Sequence, residues 1–200
     1  MIISMSDILC ITNRGLCRED FLSRMEKLAK AKPGGIILRE KDLSPQEYLL
    51  LARQVMDICR TYEVSCILHT HTEVALSLGA TALHLPLPLL VKLSPKERKS
   101  FSCLGVSCHS VEDALLAESL DCTYITAGHV FDTACKKGIP GRGLDFLREI
   151  CQKISIPVYG LGGITPQNSK SVNKAGAAGI CIMSSAMTCK EPEEYLKEFL

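Results

Sequence analysis

Nowhere does this chain approach the roughly 18–20 consecutive apolar residues that a membrane span requires, so no segment of it reads as a transmembrane helix. No basic cluster precedes the apolar opening MIISMSDILCIT, which therefore reads as a first strand and not as a signal peptide. Charge of one sign is scarce too: 23 Lys and Arg face 22 Asp and Glu, for a net charge of +1. That balance argues against a nucleic-acid footprint or a polybasic membrane surface, and leaves room for one small anion site. No linker, low-complexity tract or second domain breaks the 200 residues, which read as a single domain over 1–200. None of the eleven cysteines forms a C-x-x-C pair. Cys10, Cys66, Cys103, Cys122 and Cys181 fall in short apolar runs, where the thiol acts as a small hydrophobe. The expectation is reduced thiols in a cytoplasmic protein, with no disulfide framework and no zinc site. Cys135 differs, because Lys136 and Lys137 beside it favour its thiolate.

What the chain does have is a repeat. Apolar runs at Ile8–Thr12, Gly35–Leu38, Val64–His69, Ala82–Leu85, Ser102–Val106, Cys122–Ala127, Pro157–Leu161 and Gly179–Met183 alternate with helical patterns. Eight units in 200 residues give about 25 residues each, enough for a strand, a helix and two short loops. Apolar strands alternating with helices predict a parallel sheet buried on both faces. Eight right-handed repeats predict an α/β fold, a single (β/α)8 TIM barrel, with an open doubly wound sheet as the competitor. Ser44-Pro45-Gln46-Glu47 and Ser94-Pro95-Lys96-Glu97 are capping boxes, and Thr165-Pro166 starts another helix. Tyr48, Leu51, Ala52, Val55 and Cys59 form one apolar stripe. These helix starts follow strand ends, which places both on the face where such barrels hold their chemistry.

Several polar groups gather on that face. Gly160-Leu161-Gly162-Gly163-Ile164-Thr165-Pro166 and Met183-Ser184-Ser185-Ala186 follow the last two runs, where this fold binds phosphate. Glycine N–H groups and a helix start suit an anion, although both segments also read as ordinary turns. Arg39 and Lys41 can grip a carboxylate or phosphate, or form a charged rim paired through Glu40 and Asp42. His129 lies at the end of the sixth run, beside Gly128, and the loop from Asp132 to Arg142 that follows carries Lys136, Lys137 and Arg142. An imidazole there can exchange a proton near neutral pH, or can simply bond a loop carbonyl. His69-x-His71 has metal-ligand spacing but lacks carboxylate partners, so no metal site is expected. His69, His71 and His84 read as structural or solvated groups, and His109 with Ser107 as lining the end of the fifth run.

Together Leu38-Arg39-Glu40-Lys41, Val106-Ser107-Cys108-His109-Ser110, Gly128-His129-Val130-Phe131, Cys135-Lys136-Lys137-Gly138 and Gly162-Gly163-Ile164-Thr165-Pro166 resemble the thiamine-phosphate synthase superfamily, and most closely its TenI-like thiazole tautomerases. Four departures separate the chain from the synthase branch. Ile37 stands where synthases keep glutamine, and His69-Thr70 where they keep Asn-Asp. Leu89 stands where they keep a second magnesium aspartate, and His129 where they usually keep proline.

The resemblance implies an isomerase that converts a non-aromatic thiazole phosphate carboxylate to its aromatic tautomer, without cofactor or metal. His129 would move the proton. Gly162 and Gly163, with Ser184 and Ser185, would hold the phosphate. Arg39, Lys41, Gly128 and Lys136 would bind or shape the substrate. The partner is then a small thiazole phosphate, with no nucleic acid and no membrane, and a homo-oligomer fits a family whose barrels commonly assemble. Two rivals remain. One is a magnesium-dependent synthase with an altered metal site, coupling a pyrimidine diphosphate to thiazole phosphate. The other is a non-catalytic barrel that binds a phosphate ligand and regulates a partner.

Overall fold

Strands of four to six residues can bury both faces only if helices cover one face and other strands the other. The computed structural model, which describes residues 5–200, meets that demand by closing the sheet on itself. Residues 1–4, part of the opening segment and of the 1–200 domain expectation, lie outside the described residues. The strands are β1 (Ile8–Ile11), β2 (Gly35–Leu38), β3 (Cys66–His69), β4 (Ala82–Pro86), β5 (Cys103–Cys108), β6 (Tyr124–Gly128), β7 (Val158–Leu161) and β8 (Gly179–Ile182). Each pairs in parallel with the next, and β8 pairs with β1 through Leu9 opposite Cys181. That last pairing makes a (β/α)8 TIM barrel and rules out the open doubly wound sheet.

β5 and β7 start one residue inside their apolar runs, and β3 and β6 start two residues inside, the latter two for one reason. Val64 and Cys122 donate their N–H groups back to the carbonyls of Cys59 and Ala117, at 2.9 and 3.2 Å, closing the preceding helices. A residue so engaged ends a helix, and the strand begins two residues later. At the other end, β5 and β6 run on to Cys108 and Gly128, carrying polar positions deeper into the sheet than the apolar runs suggested.

Side chains alternate across the sheet. Leu9, Ile11, Ile37, Ile67, Ala82, Tyr124 and Cys181 pack inside the barrel. Ile8, Cys10, Ile36, Leu38, Leu68 and Leu83 belong to the larger outer core beneath the helices. The interior is filled: the Tyr124 ring lies so close over Gly105 that a Cβ there would come within 2.1 Å of its Cζ.

The helices start where their caps dictate. Ser44 and Glu47 form both halves of a capping box ahead of the helix Pro45–Thr61, which buries Tyr48, Ala52, Val55 and Cys59. Leu51, on the same stripe, is half-buried. Ser94 and Glu97 repeat the box over the shorter Pro95–Lys99, and Asn168 completes one for Pro166–Lys174. None of the described helices is long and apolar enough to cross a membrane.

Tyr48 does more than fill space. Its fully buried hydroxyl donates to the Leu38 carbonyl at 2.6 Å and accepts from the His69 N–H at 2.9 Å. One phenol thereby ties the C-terminal ends of β2 and β3, where Arg39 and His69 enter the mouth. Leaving two buried backbone groups unpaired should destabilise the Tyr48→Phe protein by about 1–3 kcal/mol, read as a lower urea midpoint.

Candidate active site

The mouth at the strand ends is organised by a buried carboxylate. Thr12, directly after β1, donates its hydroxyl to Glu40 Oε1 at 2.6 Å and accepts the Arg39 N–H at 2.9 Å. Both Glu40 oxygens also accept from the Arg14 N–H, at 3.1 and 3.0 Å. The Arg14 guanidinium reaches Asp42 as well. Glu40 and Asp42 are thus paired with Arg14, and the rim expected between them and Arg39 and Lys41 does not form. Among the described residues no carboxylate lies within ion-pairing distance of Arg39, Lys41 or Lys136.

Two of the cations act on the third. Arg39 beside it pushes the Lys41 ammonium below its usual pKa, with burial and Lys136 adding to the effect. Burial also lowers the Arg39 guanidinium. Lys136 comes from the far side of the barrel because the segment after β6 crosses the mouth. On that segment Cys135 Sγ lies 3.3 Å from Ser184 Oγ, beyond β8, and close enough to Arg39 to interact electrostatically. The same loop, Lys136 and Lys137 included, lines an open surface depression of about 560 Å³. Arg142, at the end of the loop, turns away to lie 5.3 Å over the Phe146 ring.

Beneath the cations is a neutral polar floor made of His69 and His84, expected from the sequence as structural or solvated groups, and of Ser107, expected to line the end of the fifth run. His84 Nδ1 meets Tyr124 Oη and its Nε2 meets Ser107 Oγ, each at 2.9 Å. Thr126 extends the chain to Ser107 at 3.3 Å. His69 stacks on His84 at 5.6 Å between centroids, and its Nδ1 is 2.6 Å from the Thr70 hydroxyl. Burial drives His84 down to about 3, with Arg39 contributing. Burial likewise drives His69 down to about 2, helped by His84 and by Arg39 and Lys41. His71 lies outside this hydrogen-bonded floor, its ring tilted by 32° against Tyr48 at 4.2 Å between centroids. His84 and Ser107 stand two residues after the interior positions Ala82 and Gly105, and this period was the available signal for them.

The loops after β6 and β7 are pressed together. A Cβ on Gly162 would come within 2.3 Å of His129 Cβ, and one on Gly163 within 2.4 Å of the Asp132 carbonyl. Both glycines also hold positive φ, at +99° and +65°. Close packing therefore accounts for these glycines before any anion is considered. Gly128 has a similar constraint, since a Cβ there would lie 2.5 Å from the Leu161 carbonyl. His109 Nδ1 bonds the Gly128 carbonyl at 3.0 Å, joining the ends of β5 and β6. The half-buried His129 places Nε2 3.1 Å from the Ile139 carbonyl, which is the loop-carbonyl alternative. Ser184 and Ser185 diverge: Ser184 touches Cys135, while Ser185 hydrogen-bonds Tyr195 of the C-terminal helix.

The magnesium carboxylates of the synthase pattern have no counterparts here. Thr70 is bonded to His69, and Leu89 offers no oxygen on its side chain. Among the described residues no three His, Cys, Asp or Glu side chains gather so that they could hold a metal ion. These residues do not fit a magnesium site.

The family model for thiamine monophosphate synthase matches residues 8–186. Thiamine-phosphate synthase 2 of Streptococcus pneumoniae is 32% identical over 187 residues, covering 91% of this chain and 87% of its own. Thiamine-phosphate synthase of Coprothermobacter proteolyticus is 35% identical over 161 residues, covering 78% and 74%. Thiamine phosphate pyrophosphorylase from Pyrococcus furiosus superposes with a TM-score of 0.83 at 25% identity, covering 98% of this chain and 96% of its own. These names correct the isomerase expectation: the relatives are synthases, which are transferases that join two substrates.

The buried imidazoles make stability depend on pH in a definite direction. Their folded pKa values lie below the unfolded value of about 6.5, so between pH 6.5 and 3 the unfolded chain binds more protons. Stability is complete above about pH 6.5 and falls as the pH drops, by up to ~1.4 kcal/mol per pH unit for each imidazole. The urea midpoint should therefore fall between about pH 7 and about pH 5, and His84→Asn should flatten that dependence. An equally steep dependence in the variant would count against a neutral, buried His84.

Proposed function

We propose a function from one premise: the chain belongs to the thiamine monophosphate synthase family. On that premise the protein is a transferase that couples a pyrimidine diphosphate to a thiazole phosphate and releases pyrophosphate. The observation that supports it is the grouping of Arg39, Lys41 and Lys136, unpaired with any described carboxylate, on the same mouth as the Gly162–Gly163 turn. Two phosphorylated substrates need two anion stations, whereas a single phosphate ligand needs one. The cation group is the station for the diphosphate. The Gly162–Gly163 turn, ahead of the helix Pro166–Lys174, is the station for the thiazole phosphate, with Ser184 at its edge.

Between them, the neutral His84–Ser107 floor offers hydrogen bonds to a heterocycle without adding charge that would compete for either phosphate group. The reaction needs the two ring systems held in contact while charge leaves with the pyrophosphate. Cations fixed at the leaving group favour that separation, because they interact more strongly as negative charge accumulates there.

Incubation of the protein with both substrates should release pyrophosphate and thiamine phosphate in equal amounts. Arg39→Ala should lower kcat/KM by about 100-fold, or ~3 kcal/mol, by removing a charge-assisted contact. Tight thiazole phosphate binding with no pyrophosphate release would overturn the transferase reading and favour a regulatory, ligand-binding barrel.

A further inference from the structure

We infer that this mouth takes a diphosphate without a divalent cation, its charge met by Arg39, Lys41 and Lys136 alone. The inference deepens the transferase function proposed above and rests on its diphosphate substrate. A magnesium ion needs several hard oxygen ligands in near-octahedral order. The carboxylates on the loops around this mouth are committed elsewhere. Glu40 accepts from Thr12 and Arg14, and Asp42 pairs with Arg14. Asp113 accepts the His109 N–H and Asp132 the Gly141 N–H, each at 2.7 Å. Both oxygens of Glu40, and one oxygen of each of the three aspartates, are therefore already bonded, which leaves no cluster of free carboxylate oxygens among the described residues to draw a dication in.

What stands there instead is positive. None of the three cations forms an ion pair with a described carboxylate, although Glu40 acts on Arg39 at longer range, and the repulsion from Arg39 and Lys136 falls on Lys41. Repulsion of this kind opposes entry of a second cation as strongly as it favours a polyanion. A diphosphate removes it, because its several negative oxygens can each face a different cation. The guanidinium of Arg39 suits two oxygens at once, and the ammonium groups of Lys41 and Lys136 act as point charges from the two sides of the mouth. Below them His69 and His84 stay uncharged, so the countercharge is supplied from the rim.

The test is calorimetric titration of inorganic pyrophosphate into the full-length protein in EDTA, repeated with excess magnesium. Saturable binding is expected in EDTA. Magnesium should weaken it about tenfold or more, because the magnesium–pyrophosphate complex carries less charge and must shed its metal to enter. Lys136→Gln, on an exposed loop where folding is not at stake, should weaken the metal-free binding about tenfold. Binding that requires magnesium, binding under neither condition, or a Lys136→Gln protein that titrates like the parent would each overturn the inference. Metal-free pyrophosphate binding without any coupling activity would instead sink the transferase reading and leave this inference standing. Coupling that depends on magnesium would do the reverse.

Discussion

The buried carboxylate of Glu40 governs the charge of the whole mouth. It is 3% exposed and takes its hydrogen bonds from Thr12 and from the backbone of Arg14. A carboxylate so placed is costly to desolvate, and burial raises its pKa even though Thr12 and Arg14 pull the other way. Its effect is to draw Arg14, and with it Asp42, to the outer side of the β1 and β2 loops. Neighbours in sequence are thereby separated in role. Glu40 faces the scaffold and Asp42 pairs with Arg14 at the surface, while Arg39 and Lys41 are left for a ligand. The alternation of a strand, continued a few residues past its end, produces that division.

Two environments then lie one above the other. The rim carries unpaired positive charge, and the floor is polar but neutral. The floor depends on the rim, since cations above help to keep the imidazoles below unprotonated. The hydroxyls of Tyr124 and Ser107 occupy both nitrogens of His84, which fixes the ring without charging it. An arrangement of this kind can distinguish a charged phosphate group from an uncharged ring on the same molecule.

Much of the scaffold was legible in the sequence. Eight apolar runs, the boxes at Ser44 and Ser94, and the helix start at Thr165 all correspond to elements of the barrel, because caps and two-residue periodicity are local signals. The site was legible only in part. Arg39, Lys41 and Lys136 stood out as charges near strand ends, but their common mouth depends on a loop crossing from β6 to β8, which no local pattern encodes. Glu40 looked like a rim partner because it lies between two cations, and only the long-range contact from Thr12 reveals otherwise. Ser184 and Ser185 looked equivalent until a helix turn sent them in different directions. The motif around His129 suggested one branch of a family, and the overall similarity of the chain pointed to the other.

The contact between Gly162–Gly163 and the segment from His129 to Asp132 has a consequence for how such barrels diversify. Loops on this face usually vary independently, which lets one scaffold host many chemistries. Here two of them share a boundary with no room for even a methyl group. A longer or bulkier segment in one can be accommodated only by rebuilding the other. Swapping in a single loop from another barrel should therefore fail where transplanting the two as a matched set succeeds, and this half of the rim behaves as one inherited module.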